Sequence, residues 1–399
     1  MAKSGMSGGE RASPPRRHLN WNDPDVRAVV YQVVALALVA FAVWFLVSNT
    51  LHNLESRRIA SGFDFMGREA GFAIGESPIE YGPQNTYARA ILVGLLNTLR
   101  VAVIGIILAT IIGTVVGIAR LSKNWLIAKL AAIYVEVVRN IPLLLQLFFW
   151  YAIITENMPG PREAKNPLPG VFISNRGVMM PAPSDHVAFD IAAGGFLLGI
   201  VLAILLSVWA KKRQDATGQA FPVWRAGTAL ILGLPLLGWL VGGAPLELDV
   251  PQLRGFNFVG GATMTPEYAA LLAGLVIYTA GFIAEVVRSG IQAVSHGQWE
   301  AASAIGLKNS QILRLVVLPQ SLRVIIPPMT SQYLNLTKNS SLAVAIGFPD
   351  IVSVANTTLN QTGQAIEGIL IIMAVYLSIS LSISVFMNWY NKHIALVER

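Results

Sequence analysis

Eight long apolar stretches constrain this chain more than any other feature of its sequence. A membrane core about 30 Å thick is crossed by about 20 apolar residues in a helix. Because 54% of the residues are hydrophobic and 13% are charged, a soluble protein is excluded, and we expect an all-α polytopic membrane protein with about eight transmembrane helices. The stretches lie at about 28–48, 90–119, 130–155, 189–209, 226–243, 266–287, 323–345 and 366–388.

The ends of the chain can be placed from its charges and from the first apolar stretch. That stretch is longer than the apolar region of a signal peptide, so we interpret it as an uncleaved anchor. If the N-terminus is cytoplasmic, the inside segments carry 18 Lys and Arg residues and the outside segments carry 8. Cytoplasmic loops carry an excess of basic residues, which predicts that both termini are cytoplasmic. The same rule explains the net charge of +7 without a nucleic-acid partner.

Several kinds of chemistry find no support in the sequence. There is no cysteine, and the five histidines are too widely spaced for a local zinc site. The run Gly306-Leu307-Lys308 lacks the spacing and the hydroxyl residue of a phosphate-binding loop. No set of catalytic side chains gathers in one region. We therefore expect no metal, no cofactor bound to this chain and no enzymatic activity, so energy for any active process must come from another polypeptide.

The stretch before the seventh apolar segment predicts two short helices. Residues 297–306 are good helix formers and end at Gly306, which suits the left-handed position that follows a helix. A second short helix can begin after a cap at Asn309 or Ser310, and Pro319 is expected to bend the chain into the next span. The stretch is too polar to cross a membrane and too apolar for a free loop. It therefore predicts a compact knob that docks on a partner.

The residues of this knob resemble those of a known family. Glu300-Ala301-Ala302, then Gly306, then Val316-Val317-Leu318-Pro319 are similar to the EAA loop of ABC import permeases. Further runs are similar to the polar amino-acid branch of that family, and the resemblance covers residues 90–155 and 266–390. These runs are Gly94 to Leu99, Tyr134 to Gln146, Glu285 to Val294, Pro319 to Arg323, and Lys338 to Leu342.

The resemblance implies a fold and a set of partners. The fold is a type I importer permease core, here with three extra spans, which is similar to the Q-type subunit of general L-amino-acid or glutamate/glutamine/aspartate/asparagine uptake systems. The implied partners are a homologous permease subunit, a pair of ATP-binding subunits that hold ATP and Mg, and a periplasmic amino-acid-binding protein, all at a bacterial inner membrane. The implied ATPase-docking residues are Trp299, Glu300, Ala301, Ala302, Gly306, Leu307 and Pro319.

The same resemblance divides the chain into segments. Residues 90–155 and 266–390 form the two halves of the permease core, and the second half contains the coupling loop 293–319. The additions are an N-terminal span with a periplasmic loop and a Pro-rich periplasmic insert followed by two spans, whose role is open. The remaining boundaries are 1–27 and 391–399 for cytoplasmic tails, 28–89 for the N-terminal addition and 156–265 for the insert.

Charged residues inside the predicted spans need partners or water, because each costs about 2.5–3.5 kcal/mol at the membrane centre. Glu136 and Arg139, like Glu285 and Arg288, stand three residues apart, where helical side chains can meet. Each pair can be a structural ion pair, or it can serve a gate or the substrate. The neighbouring glycine and alanine residues at 105, 109, 113 and 117 form a small-residue ridge that predicts close helix packing.

Lys338 is the strongest candidate for the substrate path. It lies about fifteen residues into the seventh stretch, after Pro327-Pro328, which we expect to break the helix near mid-depth. Either Lys338, Asn339 and Ser340 line the path, or they stabilise the bundle. Asn97, Thr98 and Gln146 could add hydrogen-bonding groups for an amino acid.

Two other functions compete with that of an ABC importer. An ion-coupled secondary transporter would use Glu136, Glu285 and Lys338 as its relay, but it would not need a docking knob. A membrane-bound enzyme is a distant third.

Overall fold

The computed structural model describes residues 24–56, 61–219 and 221–394. Within these residues, seven helices are long and apolar enough to cross a membrane, and one further pair of helices, bent by 106°, passes the same test when taken together. The prediction of about eight spans is confirmed if that pair counts as one. The basic N-terminal residues and the last five residues, on which part of the orientation argument depends, lie outside the described residues.

The first helix is a unit by itself. Helix α1 (Pro24–Ser56) belongs to a unit that ends at Phe63, and a second unit begins at Asp64. Its apolar side chains are exposed from Tyr31 to Val47, as at Leu36 and Trp44. That pattern fits a helix whose surroundings are lipid.

Two parallel helices form the centre of the second unit. Helix α2 (Tyr87–Ala119) carries the small-residue ridge. The ridge packs against α7 (Pro266–Gln292), which follows much later in the sequence. A Cβ added to Gly113 would lie 2.6 Å from the Ile283 side chain, and one added to Gly117 would lie 2.7 Å from the Ala284 carbonyl oxygen. Glycine is therefore required at both positions by close helix approach, and the predicted packing face is confirmed.

The third predicted span is broken in the structure. Helix α3 (Trp125–Asn140) and helix α4 (Leu143–Asn157) meet at an angle of 106°. Proline disfavours helical backbone in the residue before it, and Ile141, which precedes Pro142, is extended at φ −97° and ψ 128°. The Gln146 side chain donates to the carbonyls of Val138 (2.9 Å) and Ile141 (3.0 Å), so it satisfies backbone groups that the break leaves free.

The insert after α4 consists of short strands and one helical hairpin. The strands form one sheet in the order β1-β2-β3-β8 and two two-stranded sheets. Helices α5 (Val187–Thr217) and α6 (Val223–Val241) pack closely at Gly199, where an added Cβ would lie 2.7 Å from the Leu230 carbonyl oxygen. The strands are β1 (Lys165–Leu168), β2 (Val171–Ser174), β3 (Gly177–Met180), β4 (Ala182–Pro183), β5 (Leu248–Asp249), β6 (Gln252–Arg254), β7 (Asn257–Val259) and β8 (Ala262–Met264).

Five α-helices and one 3-10 turn follow α7 in the described residues, besides a π-helical turn between the second and third of these helices. Two short helices lead into a long one, a 3-10 turn follows, and a short helix precedes the last long helix. They are α8 (His296–Ala304), α9 (Asn309–Ile312), α10 (Leu318–Asn339), the 3-10 turn Ser340–Ile346, α11 (Ile351–Thr362) and α12 (Ala365–Ile394).

The expected helix break at Pro327-Pro328 is wrong. Both prolines lie inside α10, which continues to Asn339. Two prolines in succession remove only two donors, and Ile325, Ile326 and Met329 beside them are buried in the cluster that α10 forms with α2, α7 and α12. Tertiary packing holds the helix across the missing hydrogen bonds. The regular helix ends instead just after Lys338, at the 3-10 turn and Gly347, whose φ is +80°.

Residues 64–86 are packed against the helical core. Phe65 and Ala70 are buried with Tyr87, at the start of α2, and with Ile351, at the start of α11. Asn97 in α2 fastens the same segment by donating to the Glu76 carbonyl at 2.9 Å. This loop therefore covers the end of the bundle at which α2 and α7 begin.

Candidate functional site

The first helix of the predicted knob is α8, at the opposite end of the bundle from residues 64–86. Ala302 is buried, whereas Glu300 and Ala301 are exposed. The Glu300 Oε1 atom lies 3.0 Å from His296 Nδ1 one turn earlier. Two members of the Glu-Ala-Ala motif thus face outward, and the third holds the helix to the rest of the knob.

The turn after α8 has the predicted geometry. Gly306 has φ +82°, its N–H donates to the Ser303 carbonyl (2.9 Å), and the Leu307 N–H donates to the Ala302 carbonyl (3.2 Å). These two bonds form a Schellman motif. An added Cβ at Gly306 would meet nothing within 4 Å, so the backbone conformation, and not packing within this chain, requires glycine there.

The second helix of the knob differs from the prediction in two ways. Lys308, and neither Asn309 nor Ser310, is the capping position, and the Gln311 side chain accepts from the Lys308 N–H at 2.9 Å. Helix α9 then continues through a π-helical turn, Leu313–Val317, into α10. The expected bend at Pro319 is wrong because Pro319 lies in the first turn of α10, where proline is tolerated.

The knob has its own apolar core and an exposed apolar surface. Ala302, Ile312 and Val317 are buried together, with Trp299 and Leu307 packed against them. Ile305 is 77% exposed and Leu315 is 62% exposed. A cavity of about 920 Å³ separates Trp299 and its neighbours from the ends of α2 and α7. The arrangement is a rigid projection with apolar side chains available to a partner.

An ion cluster lies between α2 and α7 close to the knob. Glu285 pairs with Arg288 on its own helix at 2.5 Å, as predicted, and also with Arg120, just after α2. Arg288 in turn donates to Gln292, in the last turn of α7. Sequence reasoning missed Arg120 because its partner is 165 residues away, and no local pattern encodes that distance.

The matching pair on α3 does not form. Among the described residues no ion pair joins Glu136 and Arg139, which are both exposed. The Arg139 guanidinium lies 5.0 Å from the centre of the Phe282 ring, a contact that attracts cations. Identical spacing thus gives an ion pair in α7, where Arg120 helps to fix the acid, and none in α3.

Lys338 lies at the end of a helix and not in its middle. It occupies the last turn of α10, its side chain is exposed in the single chain, and it pairs with neither Glu136 nor Glu285. A cation at a helix C-terminus is stabilised by the helix dipole. Asn339 is half-buried, and Ser340 is buried and donates to the Thr337 carbonyl at 2.7 Å. That these three line a substrate path stays a prediction.

Three other predicted path residues form hydrogen bonds within the chain. Asn97 donates to the Pro349 carbonyl at 2.9 Å as well as to Glu76. The Thr98 hydroxyl accepts from the Ile351 N–H at 3.0 Å. The Gln146 side chain donates to backbone carbonyls at the break between α3 and α4. Their contribution to a path also stays a prediction, because these contacts show them fastening backbone segments.

A second charged group lies at the opposite end of the bundle, where sequence reasoning did not pair its members. The Arg100 Nη1 atom is 2.8 Å from Glu76 Oε1, and the Thr265 hydroxyl donates to Glu76 Oε2 at 2.5 Å. The Arg100 guanidinium carbon lies 4.0 Å from the centre of the Tyr268 ring. Burial raises the pKa of Glu76, although Thr265 and Arg100 oppose that rise. The lone arginine in the second apolar stretch was the only signal of this group.

Comparison with known proteins agrees with this geometry. The family model described as "Binding-protein-dependent transport system inner membrane component" matches residues 103–396. The chain is 53% identical to the general L-amino acid transport system permease protein AapQ of Rhizobium johnstonii, over 94% of each protein. It is 42% identical to the glutamate/glutamine/aspartate/asparagine transport system permease protein BztB of Rhodobacter capsulatus, over 94% of this chain and 96% of that protein.

Proposed function

We propose a transport function from one premise: the chain belongs to the family of binding-protein-dependent transport system inner membrane components. On this proposal it is the permease subunit of an ABC importer for polar L-amino acids, either glutamate, glutamine, aspartate and asparagine or a broader range. The names of two relatives that match nearly the whole chain support this substrate class. Membership of this family favours an ABC importer over an ion-coupled transporter. In addition, Glu285, one of the residues of the ion-coupled relay, is paired with two arginines.

The knob is the observation that carries the proposal. Residues 293–319 form a packed projection at one end of the bundle, and exposed Ile305 and Leu315 offer apolar anchors to a groove on an ATP-binding subunit. In this scheme ATP and Mg bind to the ATP-binding subunits, and the movement of those subunits is transmitted to this chain through the knob. The proposed docking residues are Trp299, Glu300, Ala301, Ala302, Gly306, Leu307 and Pro319.

The structure supports a route by which a push on the knob moves the bundle. Helix α9, the π-helical turn and α10 are continuous, so they act as one rigid element from Asn309 to Lys338. The Glu285 cluster joins the ends of α2 and α7 beside the knob. Closure of the ATP-binding subunits would therefore displace both elements together and switch the bundle between inward-facing and outward-facing states.

The remaining features of the assembly follow from the same proposal. The chain pairs with a homologous permease subunit, a pair of ATP-binding subunits and a periplasmic amino-acid-binding protein. It is a multi-pass protein of a bacterial inner membrane with both termini in the cytoplasm, so the knob is cytoplasmic and residues 61–86 are periplasmic.

A pair of glycine substitutions tests the docking surface. Gly306→Val and Gly363→Val both place a branched side chain at positive φ, +82° and +74°, with nothing within 4 Å of the added Cβ. Each costs about 1–2 kcal/mol in backbone strain. Only Gly306 lies on the knob, so Gly306→Val is expected to abolish ATP-driven amino-acid uptake and co-purification of the ATP-binding subunits, while Gly363→Val retains both.

Membrane insertion and expression level are measured for both variants as the control. Normal uptake and normal co-purification with Gly306→Val would contradict the assignment of the knob as the docking surface. Equal losses in the two variants would show that strain, and not the position of Gly306, causes the defect.

A further inference from the structure

The hairpin of α5 and α6 carries a cluster of basic side chains at one end. Three of them lie near the C-terminal end of α5 and one lies in the first turn of α6: Lys211, Lys212, Arg213 and Arg225. Asp215 is the only acidic residue in the sequence segment 209–225. In the described part of the chain, none of the four cations forms an ion pair. This end of the hairpin therefore has a net positive charge that the chain itself does not neutralise.

Two of the four cations lie against tryptophan rings. The Arg213 guanidinium carbon is 5.5 Å from the centre of the Trp209 ring, and that of Arg225 is 5.3 Å from the centre of the Trp224 ring. Phe221, in the turn of the hairpin, contacts Trp209 edge to face with the ring centres 5.5 Å apart, so the two helix ends are joined there. Because tryptophan prefers the level of the lipid headgroups, these contacts hold both guanidiniums at that depth.

An exposed apolar stripe on α5 leads to this cluster. Its members stand three or four residues apart and are each about half exposed: Leu198, Val201, Leu205 and Trp209. Arg213 continues the same face of the helix one turn later. At 1.5 Å per residue the stripe is about 16 Å long, and one leaflet of a membrane core is about 15 Å thick. The stripe thus spans one leaflet and ends at a cation.

An anionic phospholipid matches both parts of this surface. Arginine N–H groups bind phosphate oxygens through charged hydrogen bonds, and an acyl chain covers the apolar stripe. A soluble phosphate would leave the stripe uncovered, and the choline ammonium of a zwitterionic lipid would lie among four cations. Arg120 and Arg288, by contrast, are already paired with Glu285.

We propose that this end of the α5–α6 hairpin is a binding site for an anionic phospholipid, whose phosphate contacts Arg213 and Arg225. One acyl chain lies along the stripe from Leu198 to Trp209. The inference goes beyond transport, and it requires only that α5 and α6 cross a membrane. It gives the inserted hairpin a role of its own.

The test counts the lipids bound to the purified full-length protein, with the subunits that co-purify with it, by native mass spectrometry during a lipid titration. The probes are dioleoyl phosphatidylglycerol, which is anionic, and dioleoyl phosphatidylcholine, which has the same acyl chains and no net charge. Each Lys or Arg near a membrane surface raises the affinity for anionic lipid about fivefold. The wild-type protein is therefore expected to bind the anionic lipid about tenfold or more tightly than the neutral one. Arg213→Gln combined with Arg225→Gln is expected to raise the Kd for the anionic lipid about tenfold or more, with the Kd for the neutral lipid unchanged.

Lys123→Gln combined with Lys129→Gln is the matched control. It also removes two exposed cations, which lie near the start of α3 and have no ion pair among the described residues, and it should leave both Kd values unchanged. Equal losses in the two double variants would show a general attraction to positive charge and would overturn the inference. Equal binding of the two lipids by the wild-type protein, as when another subunit covers the stripe, would overturn it too.

Two further measurements separate this site from an effect on insertion and from a site for soluble phosphate. Arg213→Lys combined with Arg225→Lys keeps the charges that orient the helices and loses the planar donor arrays, so it is expected to raise the Kd for the anionic lipid about threefold. An unchanged Kd would refute the assignment of the phosphate to the two guanidiniums. Competition by glycerol phosphate as strong as that by the anionic lipid would refute the assignment to a lipid.

Discussion

Removing the acid from the Glu285 cluster should strongly destabilise the protein. Glu285→Gln leaves the Arg120 and Arg288 guanidiniums facing one uncharged amide, where both had contacted the same carboxylate. Two like charges within a few ångströms of each other repel by about 3–4 kcal/mol at an effective dielectric constant near 20. Breaking a buried pair costs about 3–5 kcal/mol. Because the three side chains are between 14% and 28% exposed, solvent screening reduces the expected loss to about 2–4 kcal/mol.

The measurement is denaturant unfolding of the detergent-solubilised protein, followed by tryptophan fluorescence. Glu136→Gln is the matched control, since it stands in the same Glu-Val-Val-Arg pattern but is exposed and forms no ion pair in the described chain. It is expected to change the free energy of unfolding by no more than about 0.5 kcal/mol. Adding Arg288→Gln to Glu285→Gln should recover part of the loss by removing the repulsion. An effect of Glu285→Gln as small as that of Glu136→Gln would refute the reasoning.

Two further predictions concern pH dependence and topology. Asp350 caps α11 by accepting from the Ser353 N–H at 2.8 Å, and burial raises its pKa to about 7. Because the folded state holds this proton more tightly than the unfolded state, stability should fall as the pH rises from about 4 to about 7, by up to about 1.4 kcal/mol per unit. Asp350→Asn keeps a capping oxygen and should flatten that dependence in unfolding curves; an unchanged pH profile would contradict the assignment. Reporter fusions at Gly160, before α5, and at Lys212, near the C-terminal end of α5, should report outside and inside respectively, and the same side for both would refute the proposed topology.

Features set by neighbouring residues could be predicted from the sequence. The positive φ of Gly306, the close approach at Gly113 and Gly117 and the ion pair of Glu285 with Arg288 each depend on a short stretch of helix or turn. Helical spacing and the conformational freedom of glycine are enough to infer them. The apolar stretches likewise located the membrane helices.

Features set by tertiary contacts could not be predicted. Pro327-Pro328 failed to end α10 because helices far away in the sequence pack around it. The break at Pro142 and its closure by Gln146 were hidden by a continuous apolar run. Glu76 and Arg100 are too far apart in the sequence to meet within one helix or strand. They pair only because the loop that contains Glu76 folds back onto the bundle. Hydropathy predicts which segments are buried, but it does not predict which buried side chains contact each other.

The pairing of β3 with β8 has a consequence for the length of the segment between these strands. Met180 and Ala262 are antiparallel partners, so the chain leaves the permease core and returns to it at neighbouring points. Everything between them, including the α5–α6 hairpin, can lengthen or shorten without pulling the core helices apart, since closing a longer loop adds only about 0.6 kcal/mol for each doubling of its length. The hydrogen-bonded strand pair holds the two ends of this segment together. Chains with and without such an addition can therefore share one transport core, and residues 181–261 are the segment of this protein in which large changes of length should be tolerated best.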